Sequence, residues 1–99
     1  MNIIFSDRAQ IQLTDIQSYI SAASGYPQRA KDFSGRIIKF CEGLRDFPNR
    51  GTMHDYIQDG LRIIGFEGSV TIAFVVEPER IYIHGIYYGG QNWLDNFDD

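Results

Sequence analysis

The spacing of apolar residues changes once along this chain, around Pro48, and that change limits the possible folds more than any other feature. Over residues 9–20, apolar side chains recur every three or four positions, which places them on one stripe of an α-helix. After Pro48, three runs, LRIIGF, VTIAFVV and RIYIHGIYY, are rich in β-branched and aromatic residues and are separated by EGS and EPE. The sequence therefore predicts helices followed by a meander of three antiparallel strands.

Residues at the ends of the helical part mark its boundaries. The short apolar run NIIF precedes Ser6, a good N-cap, and Gly25 and Pro27 are suited to end one helix and begin the next. We expect an α+β fold: an N-terminal strand and an antiparallel helical hairpin packed on a small, mainly antiparallel sheet, in the order β-α-α-β-β-β. A short C-terminal helix or tail follows, with Trp93, Leu94 and Phe97 as packing residues. Residues 1–99 are predicted to form a single domain.

Composition excludes several classes of protein. Hydrophobic residues make up 43% of the chain, which is enough for a packed core. The apolar runs are too short to cross a bilayer and the N-terminal stretch lacks a signal-peptide pattern, so we expect a cytoplasmic protein without a membrane partner. Cys41 is the only cysteine, and with two histidines the chain is short of metal ligands. No metal or other cofactor is expected, because GFEGS and YYGGQ match no nucleotide-binding loop.

The net charge of −4 is distributed unevenly. Residues 29–50 carry six cations against three acids, whereas residues 61–99 carry two cations against six acids. Any phosphate-binding surface would have to use residues 29–50. A run of charges of this kind is ordinarily a solvated helix face. We therefore expect no direct nucleic-acid binding without a partner.

Two features of the strands are candidates for function. Arg62 stands between two apolar residues, so its guanidinium is expected either to pair with a carboxylate or to bind an external anion. In the last strand, strict alternation places Ile81, Ile83, Gly85 and Tyr87 on one face and Tyr82, His84, Ile86 and Tyr88 on the other. Tyr82, His84 and Tyr88 are then expected to face solvent or a ligand.

Several stretches together resemble a known family. SDRAQIQLTDIQSYI, CEGLRDFPNRG, GLRIIGF and TIAFVVEPERIYIHGIYYGGQNW, in this order, are similar to the RelE/ParE superfamily of bacterial toxins, on the ParE side. The resemblance extends from about Ile4 to Trp93. Its most specific parts are Leu44 with Phe47, Pro48 and Gly51, the GLR at residues 60–62, and the last strand running into Gly89.

The resemblance implies the toxin of a type II toxin-antitoxin system, held in a hetero-oligomer with a ParD-like or related antitoxin. ParE-like toxins inhibit DNA gyrase by binding, whereas RelE-like toxins cleave mRNA on the ribosome. The residues expected to contact the target are Arg62, His84, Tyr87 and Tyr88. Those expected to contact the antitoxin are Tyr19, Tyr26, Phe40, Trp93 and Phe97.

The chain also departs from the family pattern, at positions that affect which activity is expected. Many relatives carry an arginine in the last strand and a histidine before its final glycine, and Gly85 and Tyr88 occupy those positions here. RNA cleavage needs a proton acceptor and cations that stabilise the phosphorane charge. Only Arg62, Arg80 and Tyr88 are available for a nuclease site. Gyrase inhibition without catalysis is therefore the favoured hypothesis, and a ribosome-dependent nuclease or an inert antitoxin-binding module are the alternatives.

Overall fold

The computed structural model describes residues 1–89, 93–94 and 97. Its elements are β1 (Asn2–Phe5), α1 (Asp7–Ser24), α2 (Pro27–Gly43), β2 (Thr52–Met53), β3 (Leu61–Phe66), β4 (Val70–Val76) and β5 (Arg80–Tyr88). They form a five-stranded sheet in the order β1-β5-β4-β3-β2, in which only β1 and β5 pair in parallel. The predicted α+β architecture is confirmed. Strand β2 was not predicted, because two exposed residues carry no apolar pattern.

Local chemistry sets the ends of the helical hairpin as the sequence predicts. The Ser6 side chain accepts a hydrogen bond from the Ala9 amide at 2.9 Å, which caps α1. Gly25 ends α1 in the left-handed conformation, with φ of 75°, and its amide donates to the Ser21 carbonyl at 3.0 Å. Pro27 lies in the first turn of α2. The two helices therefore turn back on each other over a connection of two residues.

The main core lies between the hairpin and one face of the sheet, which we call the near face. Both helices contribute small and branched residues to it, and the three long strands contribute the opposing layer. Its buried members are Ala9, Ile16, Ile37, Cys41, Leu44, Val70, Ile72, Phe74, Ile81, Ile83 and Ile86. Strands β4 and β5 are thereby covered on one side along most of their length, and Ile64 and Phe66 of β3 pack against the same core.

A β-bulge at His84 changes which face the end of β5 presents. Phe74 pairs with Ile83 and Ala73 with Gly85, so His84 is an extra residue on β5. Side chains after the bulge are therefore displaced to the opposite face from the one that strict alternation gives. Tyr88 packs against the main core on the near face. The prediction that Tyr88 shares a face with Tyr82 and His84 is wrong for this reason.

The opposite side of the sheet, the far face, carries a second buried cluster. Leu61, Ala73 and Tyr87 form its centre, and Trp93 and Phe97 are among the partly buried residues packed against it. The predicted packing role of these two C-terminal aromatics is confirmed. The rest of the predicted C-terminal helix or tail falls on residues 90–92, 95–96 and 98–99, which lie outside the described residues.

Within the part of the chain that the structure describes, neither helix is long and apolar enough to cross a membrane.

Candidate functional site

Arg62 anchors the loop that follows α2. Its Nη1 donates to the carbonyl oxygens of Asn49 at 3.0 Å and Arg50 at 3.4 Å. The loop passes close to β3, because a Cβ at Gly51 would lie 2.6 Å from the Ile63 carbonyl oxygen. The predicted carboxylate partner of Arg62 is not found among residues 1–89, 93–94 and 97. Backbone carbonyls take its place, and they make Arg62 a positioning residue for this loop.

Arg80, the other strand arginine, is already paired within the protein. Its Nε donates to the Glu77 carboxylate, and its guanidinium lies 5.3 Å from the centre of the Tyr82 ring. The hydrogen bond to Glu77 raises the pKa of Arg80 above its ordinary value. The Arg80 guanidinium is therefore engaged by Glu77 in the protein itself, which leaves it less able to bind an external anion.

The three candidate nuclease residues do not converge. Arg80 and Tyr88 stand at opposite ends of β5, which separates them by about 26 Å at the usual rise of a strand. Arg62 aligns with Ile83 through Phe74, so it is also several residues away from Tyr88 along the sheet. The Tyr88 ring contacts the rings of Tyr19 and Phe33, at 5.7 and 5.8 Å between centroids. These positions place no cation pair beside the Tyr88 hydroxyl.

The four residues predicted to contact the target do not form one surface either. Tyr87 is 1% exposed, so the prediction that it lies on the surface is wrong. Its ring lies over Gly85, where a Cβ would be 2.6 Å from Tyr87 Oη. Tyr88 faces the helices, and Arg62 holds the loop after α2. Of the four, His84 alone is half-buried on the far face.

An aromatic row crosses the far face, and sequence reasoning found only parts of it. The ring of Tyr56 contacts that of His54, His54 contacts Trp93, Trp93 contacts Phe97, Phe97 stacks on His84, and His84 contacts Tyr82. The centroid distances run from 4.6 Å for the stacked pair to 6.2 Å for Trp93 and Phe97. Both histidines of the chain therefore hold the two aromatics of its C-terminal segment against the sheet.

The residues predicted to contact an antitoxin divide between the two sides of the sheet. Tyr19 and Tyr26 are 61% and 58% exposed on the hairpin. Phe40 is half-buried, with its ring 4.8 Å from that of Phe66. Trp93 and Phe97 belong to the aromatic row on the far face. Tyr19 and Tyr26 are therefore exposed on the hairpin, whereas Trp93 and Phe97 lie on the other side of the sheet.

A cavity and an open strand edge lie beside Tyr19. Gln12, Asp15, Ile16, Tyr19, Ile86 and Tyr88 line a cavity of about 230 Å³. Strand β1 pairs with β5 only as far as Ile83, and beyond that point the Gln12 side chain accepts a hydrogen bond from the Ile86 amide at 2.7 Å. Sequence reasoning missed Gln12. The signal was the length of NIIF, which is too short to cover the whole of the last strand.

Among the described residues, the structure shows neither a reactive cysteine nor a group of metal ligands. Burial raises the pKa of the Cys41 thiol to about 12, so the reactive thiolate is disfavoured at neutral pH. In the described ranges, no group of three His, Cys, Asp or Glu side chains is placed to hold a metal ion. The candidate site is therefore a binding surface, with the aromatic row on one side and the hairpin with its cavity on the other.

Comparison with known proteins identifies the family of this chain. A family model described as "ParE toxin of type II toxin-antitoxin system, parDE" matches residues 3–93. The chain is a member of the ParE toxin family. Among solved structures, the toxin resembles one from the "Chromosomal ParDE TA system from P. aeruginosa", with 21% sequence identity and a TM-score of 0.76. The match covers 90% of the toxin and 96% of that chain, and at this identity it shows a common fold. The comparison with curated proteins gave no match.

Proposed function

We propose that this ParE-family toxin acts by binding DNA gyrase and that a cognate antitoxin neutralises it by binding the helical hairpin. Membership of the family supports a type II toxin, and gyrase inhibition is the activity that the resemblance to ParE implies. The observation that carries the proposal is the dispersal of Arg62, Arg80 and Tyr88. RNA cleavage requires an acid or base and cations around one phosphate, and these three side chains occupy separate places on the sheet.

The hairpin side has the features of a peptide-binding surface. Tyr19 is exposed beside the cavity, and β5 has an edge that β1 does not cover. An exposed aromatic side chain beside a cavity and a strand edge without a neighbouring strand suits an antitoxin segment that becomes ordered on binding. We expect this segment to contact Tyr19 and Tyr26, and the complex to be a hetero-oligomer.

A supercoiling assay tests the gyrase proposal. Purified toxin at micromolar excess over gyrase is expected to inhibit supercoiling of relaxed plasmid and to accumulate cleaved plasmid. Adding the antitoxin first should restore supercoiling. Unchanged supercoiling at that excess contradicts the proposal.

A conservative variant separates gyrase inhibition from RNA cleavage. Tyr88→Phe removes the only hydroxyl among the three candidate nuclease residues and keeps the ring that packs on Tyr19 and Phe33. We expect the variant to inhibit gyrase as the wild type does and to arrest growth when it is expressed without antitoxin. Codon-positioned mRNA cuts that disappear in Tyr88→Phe would establish the nuclease alternative. Unaffected growth with wild-type toxin would identify an inert antitoxin-binding module.

A further inference from the structure

The exposed end of the aromatic row has the properties of a protein-binding patch. Tyr56 is 78% exposed, the largest fraction among the exposed large hydrophobic residues, yet its ring remains 5.6 Å from that of His54. His54 and Trp93 beside it are half-buried. We call Tyr56, His54 and Trp93 the Tyr56 patch. Tyrosine and tryptophan are the residues in which interface binding energy is most often concentrated.

The loop that carries Tyr56 is held in place by its own hydrogen bonds. The Asp55 carboxylate accepts from the Gly60 amide at 2.9 Å, and the His54 amide donates to the Leu61 carbonyl at 2.8 Å. The Ile57 amide donates to the His54 carbonyl, and its side chain packs into the far-face cluster. Tyr56 is thus presented by a fixed loop, and a partner would not have to order it on binding.

The charge around the patch is negative. Residues 51–61, which carry Tyr56 and His54, contain Asp55 and Asp59 and no lysine or arginine. The two nearest strand arginines are engaged elsewhere, Arg62 with loop carbonyls and Arg80 with Glu77. A phosphate backbone would be repelled here, whereas a cationic protein segment would be attracted.

Other aromatic rings of the toxin show which ligand fits such a patch. Arg29 lies 4.6 Å from the Tyr26 ring, Arg36 lies 5.2 Å from Phe33, and Arg50 lies 4.9 Å from Phe40. Among the described residues, no arginine or lysine of the toxin lies over Tyr56 or Trp93. The patch therefore combines exposed ring faces with nearby carboxylates, and both favour a guanidinium or ammonium group.

We propose that the Tyr56 patch binds an arginine- or lysine-bearing segment of a partner protein. This inference rests on the proposed function in one respect, the identity of the partner. Under the proposed function the partner is gyrase, and the patch is the surface by which the toxin binds it. The ligand is a cationic side chain that contacts the Tyr56 and Trp93 rings, each of which adjoins His54, and Asp59 follows Tyr56 by three positions in the same loop. The hairpin on the other side of the sheet remains available to the antitoxin.

Gyrase binding by single variants tests the role of the patch in target recognition. Tyr56→Ala should raise the Kd for immobilised gyrase holoenzyme at least tenfold, and Asp59→Lys should do the same with a weaker dependence on salt. Ile11→Ala, which removes an apolar side chain that is 62% exposed on α1, should leave the Kd within twofold. Equal urea midpoints would show that all variants remain folded. If wild-type toxin binds gyrase and Tyr56→Ala binds equally well, the patch proposal is wrong and the proposed function stands.

A second measurement keeps the patch testable if gyrase is not the target. Trp93 is the only tryptophan, so its fluorescence reports occupancy of the patch directly. The peptide acetyl-Gly-Arg-Arg-Gly-amide should change this fluorescence saturably in wild type and Ile11→Ala, and should have no effect on Tyr56→Ala. The matched peptide with two glutamates should have no effect on any of them. Identical responses to both peptides, or a stronger response to a short RNA or DNA oligonucleotide, would refute a cationic protein ligand.

Discussion

The contact between Gly85 and Tyr87 gives the most direct test of how the far face is built. The two residues lie on the same side of β5, and the Tyr87 ring covers the position where a side chain at residue 85 would begin. A Cβ there would be 2.6 Å from Oη, 2.8 Å from Cζ and 2.9 Å from Cε2 of Tyr87. Real Cβ atoms do not approach so closely, so in Gly85→Ala the ring has to move. Leu61 and Ala73, both fully buried, leave it little room.

The expected cost of Gly85→Ala follows from two opposing terms. Overpacking in a well-packed cluster costs about 1–3 kcal/mol. Replacing a strand glycine by alanine contributes about 0.5–1 kcal/mol in the other direction, since alanine loses less backbone entropy on folding. The net expectation is a loss of about 0–2.5 kcal/mol of unfolding free energy, centred on about 1 kcal/mol and measured by urea unfolding of the purified toxin.

Two further variants decide whether the ring is the cause. Tyr87→Leu removes the three clashing atoms and keeps an apolar side chain. In this background Gly85→Ala should cost less than about 0.5 kcal/mol, which is the error within which the effects of independent mutations usually add. Gly65→Ala is the matched control in a neighbouring strand, because the nearest atom to its Cβ would be the Val70 carbonyl oxygen at 3.9 Å. Gly65→Ala should be neutral or slightly stabilising. Equal destabilisation by Gly85→Ala with and without the Tyr87 ring would refute this reasoning.

Three other predictions concern the edge strand, the buried thiol and the loop after α2. Gln12→Ala leaves the partly buried Ile86 amide without its acceptor and should cost about 1–2 kcal/mol and speed hydrogen exchange at that amide, whereas Gln12→Glu should retain its protection. The pKa of Cys41 rises from the ordinary 9.0 to about 12 on folding, so its stabilising contribution is intact below pH 9 and is lost as the pH rises toward 12. Between these limits wild type should lose up to about 1.4 kcal/mol per pH unit relative to Cys41→Ala in urea titrations, and parallel curves would contradict the assignment. Arg62→Ala should hasten trypsin cleavage after Arg50, because it frees the loop carbonyls that Arg62 holds, and an unchanged rate would show that the loop is held by other contacts.

The parts of the fold that local rules govern were predictable from the sequence. Ser6, Gly25 and Pro27 act through their immediate neighbours, so each indicated a helix boundary before any tertiary contact was known. The strand runs were visible for the same reason, since their composition differs from that of the hairpin.

The bulge and the far-face cluster depend on which residues meet across strands, and the sequence does not state this. The extra residue at His84 reverses the faces of everything after it, which moved Tyr88 to the helix side and Tyr87 into the far-face cluster. Glycine two residues before Tyr87 was the available signal, because a bare position in a strand often lies beneath a large ring. The partner of Arg62 had no comparable signal, since any loop offers carbonyl groups.

The parallel pairing of β1 with β5 determines when, during synthesis, the toxin can complete its fold. Ser6 and His84, joined by a hydrogen bond of 2.9 Å, are 78 residues apart in the chain. At synthesis rates of roughly 5–20 residues per second, the N-terminal strand waits about 4–16 seconds for the strand it lies against. A nascent or truncated chain that lacks β5 therefore has no strand with which β1 can pair. The toxin can therefore complete its sheet only after β5 has been synthesised, and a partner present by then can meet the fold as it forms.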